Sequence, residues 1–388
     1  MHRLNRPGPL ARAHAVAPAI VAAADEIERS RRYPGPLAAR LHESGLLRLL
    51  LPASLGGDQA APGDYLEALA VVAEADGSVG WNMFVSNSSA LIAPFIPAET
   101  ARAIFADPAG LVAWGPPNTS RAQAVPGGYR VSGTWDFASG CRQASWLGAH
   151  CPVQEPDGSL RLNSHGKPAV RTLLFPVAQA ELHDTWDTIG LRGTASDSYS
   201  VKELFVPEAR SGTREEPQLR RERGKLYAFP MQGLYAVGVA GVALGIARGM
   251  LRAFIDLALR KSPRGLGRLA DSVPVQAALA RHEARLGAGH AYLLATLAQV
   301  HAEADEAAPL DMPQRGRVRL ACTHAIHEAI GVADFAFKAA GVDAIFPGSP
   351  FERRFRDIHT LSQQVQAREV HYELVGQVML GQPPEVFY

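Results

Sequence analysis

The chain has 388 residues, enough for more than one compact unit, and 47% of them are hydrophobic, as in an ordinary globular protein. Lys and Arg number 39 against 38 Asp and Glu, and no segment combines a basic patch with interleaved aromatic residues, which argues against nucleic acid as a partner. The three cysteines show no C-x-x-C spacing. We therefore expect reduced thiols and no metal site.

The sequence also argues against a membrane partner. Its longest apolar stretch, 234–246, is shorter than the about 20 residues that a bilayer-spanning helix needs. Near the N-terminus, Asp25 and Glu26 interrupt the apolar run, which is typical of an amphipathic helix and not of a signal peptide. We expect a cytoplasmic protein.

Residues 1–108 are expected to form an N-terminal helical domain. Apolar residues recur every three or four positions over 16–27, 37–51 and 65–75, with Pro and Gly between these segments. Gly45 stands where a helix can end in the left-handed conformation.

Residues 109–212 predict a central antiparallel β domain. Pro-Gly-Gly at 126–128 and Pro-Asp-Gly at 156–158 are hairpin turn signals, since Gly reaches positive φ without strain. Segments 129–135, 171–177 and 199–206 are rich in β-branched and aromatic residues.

Helical periodicity returns in residues 213–388, over 233–260, 273–304, 315–340 and 356–380, and predicts a C-terminal four-helix bundle. Helices segregated from strands in this order argue against a doubly wound dinucleotide fold.

The longest motif covers 184–208 and reads DTWDTIGLRGTASDSYSVKELFVPE. Its two glycines permit a tight turn, Ser196 and Asp197 can satisfy backbone donors, and an alternating strand follows. This segment resembles the β-domain signature of the acyl-CoA dehydrogenase superfamily, and the resemblance implies that Thr194 and Ser196 bind the cofactor. The local turn chemistry alone would also fit any β-turn-β unit.

A second motif, VSGTWDFASGC at 131–141, resembles the flavin-facing strand of the same superfamily in the version shared by its two-component flavin monooxygenases. Trp135 and Phe137 offer flat apolar area, and Ser139 offers a hydroxyl donor, as a flavin ring requires. The alternative is that the aromatic residues belong to the core of the strand.

A third motif starts at Gly341 and ends in PFERRFRDIHT at 350–360, and it resembles the superfamily's Gly turn and Arg-Asp pair beside the flavin. The resemblance implies that Gly341, Arg356 and Asp357 bind or frame the cofactor. Arg356 could equally be only the structural partner of Asp357. Together the motifs imply an acyl-CoA dehydrogenase-like fold.

The residues expected around the flavin ring indicate which branch of the superfamily the chain resembles. Dehydrogenation needs a carboxylate base, and in many members it follows the Arg-Asp pair closely, whereas here no carboxylate occurs after Asp357 until Glu369. The monooxygenase branch commonly has His seven residues after that Asp, where this chain has Gln364. Gln143 likewise replaces a second His of the branch. Gln364 can donate hydrogen bonds but cannot deprotonate a phenol, so His359 is the remaining proton-transfer candidate.

We therefore predict a flavin-dependent oxidoreductase, specifically a reduced-flavin-dependent monooxygenase that oxygenates a small organic substrate through a flavin C4a-hydroperoxide. The predicted catalytic residues are Gln364, His359 and Ser139. The resemblance implies FAD or FMN, supplied reduced by a separate NAD(P)H:flavin reductase, and a homotetramer. Two alternatives stay open: an acyl-CoA dehydrogenase or oxidase with a relocated base, and a non-catalytic protein that binds flavin or another small molecule.

Overall fold

The computed structural model describes residues 6–214, 216–382 and 384. Residues 1–5 and 385–388, at the ends of the first and last predicted domains, lie outside the described residues. Before the sheet the chain forms α1 (Pro9–Ser30), α2 (Gly35–Ser44), α3 (Pro62–Ala75), α4 (Gly77–Ala90) and α5 (Ala98–Phe105).

Two features of these helices differ from the prediction. The helix expected over 37–51 ends at Ser44, because Gly45 takes a φ of 67° and donates its N–H to the carbonyl of His42. The predicted stop at Gly45 is thus confirmed, and a short 3-10 turn follows it. Helix α4 was not predicted, because it is buried on nearly every side and its sequence lacks an amphipathic period.

The central segment forms one sheet. Its strands are β1 (Val112–Gly115), β2 (Pro117–Val125), β3 (Gly128–Ala138), β4 (Trp146–Gln154), β5 (Val170–Pro176), β6 (Glu181–His183), β7 (Asp197–Pro207) and β8 (Ser211–Gly212). They lie in the order β6-β7-β3-β2-β4-β5-β8, with β1 beside β4. The hairpin predicted at 126–128 joins β2 to β3.

The expectation of a purely antiparallel domain is wrong. Strands β1 and β2 both pair with β4 in parallel, while the remaining ladders are antiparallel. Turn signals identify adjacent antiparallel strands, whereas a parallel pair joins strands that are distant in sequence and leaves no local signal.

After the sheet the chain forms α6 (Met231–Ala258), α7 (Val273–Glu303), α8 (Met312–Ala340), α9 (Glu352–Leu361) and α10 (Val370–Met379). The single helix predicted over 356–380 is therefore wrong, since residues 362–369 interrupt it. By length and composition α6 could cross a membrane, but 89% of its apolar window is buried inside the protein, as in a core helix.

The helices that precede the sheet in the chain and those that follow it share one hydrophobic core. It includes Ile20 of α1, Leu69 of α3, Val242 of α6 and Ile358 of α9, all fully buried. The sheet has a second core, with Trp135 and Tyr199 among its members. The boundary between these two cores positions the site described next.

Candidate functional site

The end of strand β3 presents an exposed aromatic ring. Phe137 has a φ of 58° and is 61% exposed, and its ring meets that of Trp186 edge to face at 6.1 Å. A bulky residue at positive φ costs about 1–3 kcal/mol, and such strain concentrates at functional sites. The backbone therefore holds a large apolar face open beside the next residues of the strand.

Ser139 lies at the centre of a buried hydroxyl cluster. It shares a hydrogen bond of 2.6 Å with Ser196, which in turn lies 2.7 Å from the hydroxyl of Thr194. The indole N–H of Trp81, on α4, donates to Ser139 at 3.0 Å. The structure thus brings together Ser139, Thr194 and Ser196, which two separate motifs predicted.

The loop 190–196 connects this cluster to α9. Leu191 takes a φ of 50°, and its N–H donates to the carboxyl of Asp357 at 2.6 Å. A Cβ on Gly190 would lie 2.2 Å from the carbonyl oxygen of Arg356, so only glycine fits there. The strand end at Ser139 and the helix that carries Arg356 and Asp357 are therefore parts of one assembly.

The carboxyl groups under this loop have perturbed pKa values. Asp357 is 1% exposed, and burial together with the nearby Asp76 raises its pKa to about 8. Asp76 accepts from the N–H of Val79 at 2.9 Å as the N-cap of α4, and burial raises its pKa as well. A pKa near 8 leaves Asp357 largely protonated at neutral pH.

Arg356 is part of an ion-pair network. Its guanidinium pairs with Glu28 of α1 at 3.0 Å and with Glu352 one turn earlier on α9, and it donates to the carbonyl of Ile189. These acceptors raise the pKa of Arg356 further, so it stays charged. The arrangement supports the alternative that Arg356 braces the loop.

Three predicted site residues lie elsewhere. Trp135 has no exposed surface and stacks on Tyr199 in the core of the sheet, with ring centroids 5.2 Å apart, which is at odds with direct contact with a cofactor. Gly341 has a φ of 65° and ends α8. His359 binds Asp334 of α8 at 2.9 Å, since two residues along a helix turn a side chain about 200° away from Asp357.

Gln364 lies in the break between α9 and α10. Its side-chain oxygen accepts from the backbone N–H of Gln366 at 2.6 Å, so it caps a 3-10 turn instead of continuing the helix. The backbone of this turn therefore fixes the oxygen end of the half-buried side chain.

A row of aromatic residues leads from the hydroxyl cluster to α6. Trp81 meets Phe84 edge to face at 5.1 Å, and Phe84 meets Tyr235 in the same way at 5.2 Å. The hydroxyl of Tyr235 accepts from the indole N–H of Trp114 at 2.6 Å. Trp81 was not among the predicted site residues, because nothing local to α4 relates it to Ser139.

Two amide side chains lie near the turn after β3 and were not among the predicted cofactor-binding residues, although Gln143 was noted as replacing a His. Both amide atoms of Asn82 are buried without a hydrogen bond among the described residues, as are both amide atoms of Gln143. Gly140 lies beside Asn82, since a Cβ on it would be 3.6 Å from the amide oxygen, and Gln143 donates its backbone N–H to Gly140 at 2.9 Å. Buried amides without partners are rare, and a bound water, ion or polar ligand can satisfy them.

These residues fit a flavin. A planar ring with several nitrogen and oxygen atoms requires an apolar face and a few placed hydrogen-bonding groups. Phe137 provides the face, while Ser139, Gln143 and, from α4, Asn82 provide polar groups near the turn after β3. Within 6–214, 216–382 and 384, no three His, Cys, Asp or Glu side chains are grouped as a metal site requires.

Comparisons with known proteins bear on the same region. Residues 237–369 match the family model "Acyl-CoA dehydrogenase, C-terminal domain". An indole-3-acetate monooxygenase from Pseudomonas putida is 28% identical over 366 residues, which cover 92% of this chain and 90% of that protein. The oxygenase subunit HsaA of a flavin-dependent monooxygenase from Rhodococcus jostii is 28% identical over 370 residues, covering 90% of this chain and 91% of the relative.

A solved structure shows the same fold. XiaF from Streptomyces sp., in complex with FADH2 and glycerol, has a TM-score of 0.88 at 24% identity, covering 98% of this chain and 96% of that one. The acyl-CoA dehydrogenase-like fold predicted from the motifs is thereby confirmed. The predicted resemblance is confirmed as well: residues 237–369 match an acyl-CoA dehydrogenase C-terminal domain, and about nine-tenths of the chain is similar to the oxygenase components of flavin-dependent monooxygenases.

Proposed function

We infer that this chain is the oxygenase component of a two-component, flavin-dependent monooxygenase that acts on a small organic substrate. The observation that carries this inference is the group at the end of β3, where the exposed ring of Phe137 precedes Ser139 by two residues and Gly140 lies beside the amide of Asn82, which has no hydrogen bond among the described residues. The relatives named above are monooxygenases, which supports the same reaction class.

The residues of the chain would bind and orient the reactants. Phe137 would stack on the flavin, and Ser139, Asn82 and Gln143 would hydrogen-bond its polar edge. Reduced flavin, when bound, supplies the two electrons that activation of O2 requires. The aromatic row from Trp81 to Trp114 would exclude water from the substrate side of the ring.

Gln364 would contribute a hydrogen-bond donor and no base. Its side-chain oxygen is already bound to the N–H of Gln366, so its amino group is the end left to meet a substrate. An amide does not take a proton at neutral pH. We therefore propose that the substrate reacts without deprotonation by this residue, as an electron-rich ring or heteroatom can.

The remaining predictions also stand as proposals. A separate reductase would deliver FADH2 or FMNH2. A homotetramer is supported by an apolar surface after α8, where Val342, Ile345 and Phe346 are each 57–61% exposed. Three domains, 1–108, 109–212 and 213–388, would form the helical, β and four-helix-bundle parts. A cytoplasmic location is supported by three buried cysteines that form no disulfide.

The function is tested with purified protein, an NADH-dependent flavin reductase and either FAD or FMN. Incubation with a panel of aromatic substrates under 18O2 should give a product that carries one labelled oxygen atom. Anaerobic titration of the flavin-loaded protein with acyl-CoA thioesters should leave the flavin absorbance unchanged. Bleaching by a thioester, together with no labelled product, would replace the proposal with dehydrogenation.

A pair of variants tests the cofactor position. Phe137→Ala should raise the dissociation constant of the flavin about tenfold, because a stacked aromatic face is lost. Phe205→Ala is the matched control, since Phe205 is also an exposed phenylalanine, 47% accessible, but lies on β7 away from the turn. Equal affinities in both variants would remove Phe137 from the proposed contact.

A further inference from the structure

A buried arginine lies behind the break between α9 and α10. Arg319 of α8 is only 2% exposed, and its guanidinium donates to the side-chain oxygen of Gln366. It also donates to the backbone carbonyl of Gln232, at the start of α6, at 3.4 Å. Burial lowers the pKa of Arg319 to about 10, which still leaves it charged at neutral pH.

This arginine determines which way the neighbouring amide groups point. A guanidinium can only donate, so the atom of Gln366 that faces it must be the oxygen. The amino group of Gln366 then faces Gln232 and donates to its side-chain oxygen at 2.7 Å. As a result, the amino group is the end of Gln232 that remains unbound.

The backbone of Gln366 orients a second glutamine in the same way. A backbone N–H can only donate, so the atom of Gln364 that lies 2.6 Å from it must be the side-chain oxygen. Among the residues that the structure describes, neither Gln364 nor Gln232 donates from its amino group to an acceptor. Both side chains are half-buried. Gln366 therefore fixes the oxygen ends of both side chains, and each amino group is the end left without an acceptor among the described residues.

The two donors lie at the α6 end of the aromatic row. Gln232 is one helical turn before Tyr235, whose ring packs on Phe84 and whose hydroxyl binds Trp114. The opposite end of the same row is Trp81, which binds Ser139. A substrate lying along this row, beside the flavin at Ser139, would have its far end at the two amide groups.

We propose that Arg319 is a positioning residue that offers the amino groups of Gln364 and Gln232 to a carbonyl or carboxylate oxygen of the substrate. The proposal rests on the proposed function, because it assumes that the aromatic row lines the substrate site. The substrates would then be aromatic acids and ketones. The glutamine at position 364 would have the role of donating a hydrogen bond to them.

The test compares ligands that differ only in the oxygen-bearing group. Binding of indole-3-acetate and indole, and of phenylacetate and toluene, is measured by calorimetry on protein loaded with oxidised FAD. We expect each acid to bind the wild type about tenfold more tightly than its parent ring, because two N–H donors meet its carboxylate. If neither acid binds more tightly than its parent ring, the proposal is overturned.

Two variants reverse the polarity of the donors with little change in shape. In Gln364→Glu one oxygen still accepts from the N–H of Gln366, but the other replaces the amino group. In Gln366→Glu the carboxylate keeps its pair with Arg319 and makes Gln232 turn its oxygen outward. Each variant should weaken binding of the acids about tenfold and change binding of the parent rings less than about twofold. An unchanged preference in both variants contradicts the proposal.

Rescue separates positioning from a merely structural role. Arg319→Lys retains a donor-only cation and should keep the preference for acids, whereas Arg319→Met should lose it while still binding FAD. Loss in both variants, or in neither, would overturn the role of Arg319. Since binding is measured on oxidised flavin, it is independent of turnover. If no 18O is incorporated into a product, the proposed function is wrong. If 18O is incorporated but acids are not preferred, only this inference is wrong.

Discussion

Segment 352–366 contains one buried ionisable group near its start and contacts another near its end. The two groups have different surroundings. Near its start, Asp357 is enclosed with a second carboxyl group, that of Asp76, and binds one backbone N–H. Near its end, Gln366 meets the guanidinium of Arg319, whose described neighbours include the amide oxygen of Gln366 and the carbonyl of Gln232.

The difference follows from what each group can do with its charge. A carboxyl group can bind a proton, and burial with Asp76 raises the pKa of Asp357 to about 8, so its charge is largely lost at neutral pH. The pKa of Arg319, even lowered to about 10, leaves the guanidinium charged, so the surrounding amide oxygens must stabilise it. The first region should therefore respond to pH near neutrality, and the second should not.

The largest effect should come from removing the buried cation. Arg319→Ala should lower the free energy of unfolding by about 3–5 kcal/mol, because it leaves a cavity and two unbound amide groups. Urea unfolding followed by circular dichroism at pH 7 measures this. The control is Arg317→Ala on the same helix, where a side chain 36% exposed pairs with Glu303, and its loss should stay below about 1 kcal/mol. Equal losses of unfolding free energy in the two variants would show that the burial of Arg319 does not make it more important for stability than Arg317.

A smaller loss is expected at the other end of the segment. Asp357→Ala should lower the free energy of unfolding by about 1–3 kcal/mol at pH 7, because the N–H of Leu191 loses its acceptor. Asp357→Asn retains an oxygen for that N–H and should lose less than half as much. The same loss in both variants would mean that the hydrogen bond to the loop contributes little.

The pH dependence of stability sharpens the comparison. The pKa of Asp357 rises from 3.8 to about 8 on folding, so between these values the folded state binds more protons than the unfolded state. Stability contributed by this group is therefore lost as pH rises toward 8. Asp357→Asn removes the titration, so its stability relative to the wild type should increase by about 1 kcal/mol or more between pH 6 and pH 9.

Chemical unfolding at both pH values tests this, with Asp187→Asn as the control because the side chain of Asp187 is 89% exposed. A parallel change in that control would assign the effect to surface charge. No change in the Asp357→Asn variant would show that the buried carboxyl does not titrate in this range.

The smallest effect is expected on the face of α9 that turns away from Asp357. His359 pairs with Asp334 while 33% exposed, so His359→Asn should lower the free energy of unfolding by less than about 1 kcal/mol. Flavin affinity should also stay within about twofold of the wild type, since His359 lies opposite the loop that carries Thr194. A tenfold fall in substrate oxygenation would restore the proton-transfer role predicted from the sequence.

Much of the fold could be predicted because its signals are local. The Pro-Gly-Gly turn identified the hairpin between β2 and β3, and Gly45 identified the end of α2. The parallel pairing of β1 and β2 with β4 and the interruption of the last helix could not be predicted in this way. Parallel ladders join distant segments, and residues 362–369 leave the helix because Gln364 and Gln366 bind partners within that turn and on other elements.

The motifs located Ser139, Thr194, Ser196 and Asp357, because a tight loop and a strand end require particular residue types in a fixed order. They did not show that Trp135 is enclosed by the sheet or that His359 faces α8. A strand places alternate residues on opposite faces, but only packing decides which face is open.

By itself, the sequence of this protein determined that helices precede and follow a sheet, the turns that glycine and proline impose, and the flavin-type motif around Ser139. Only the tertiary structure decided which polar atoms have partners: within the part of the chain that it describes, the side-chain amides of Asn82 and Gln143 have none, whereas Arg319 binds Gln366. The physical reason is that a hydrogen bond between distant segments depends on burial and on the direction of each donor. Neither quantity is encoded in local spacing.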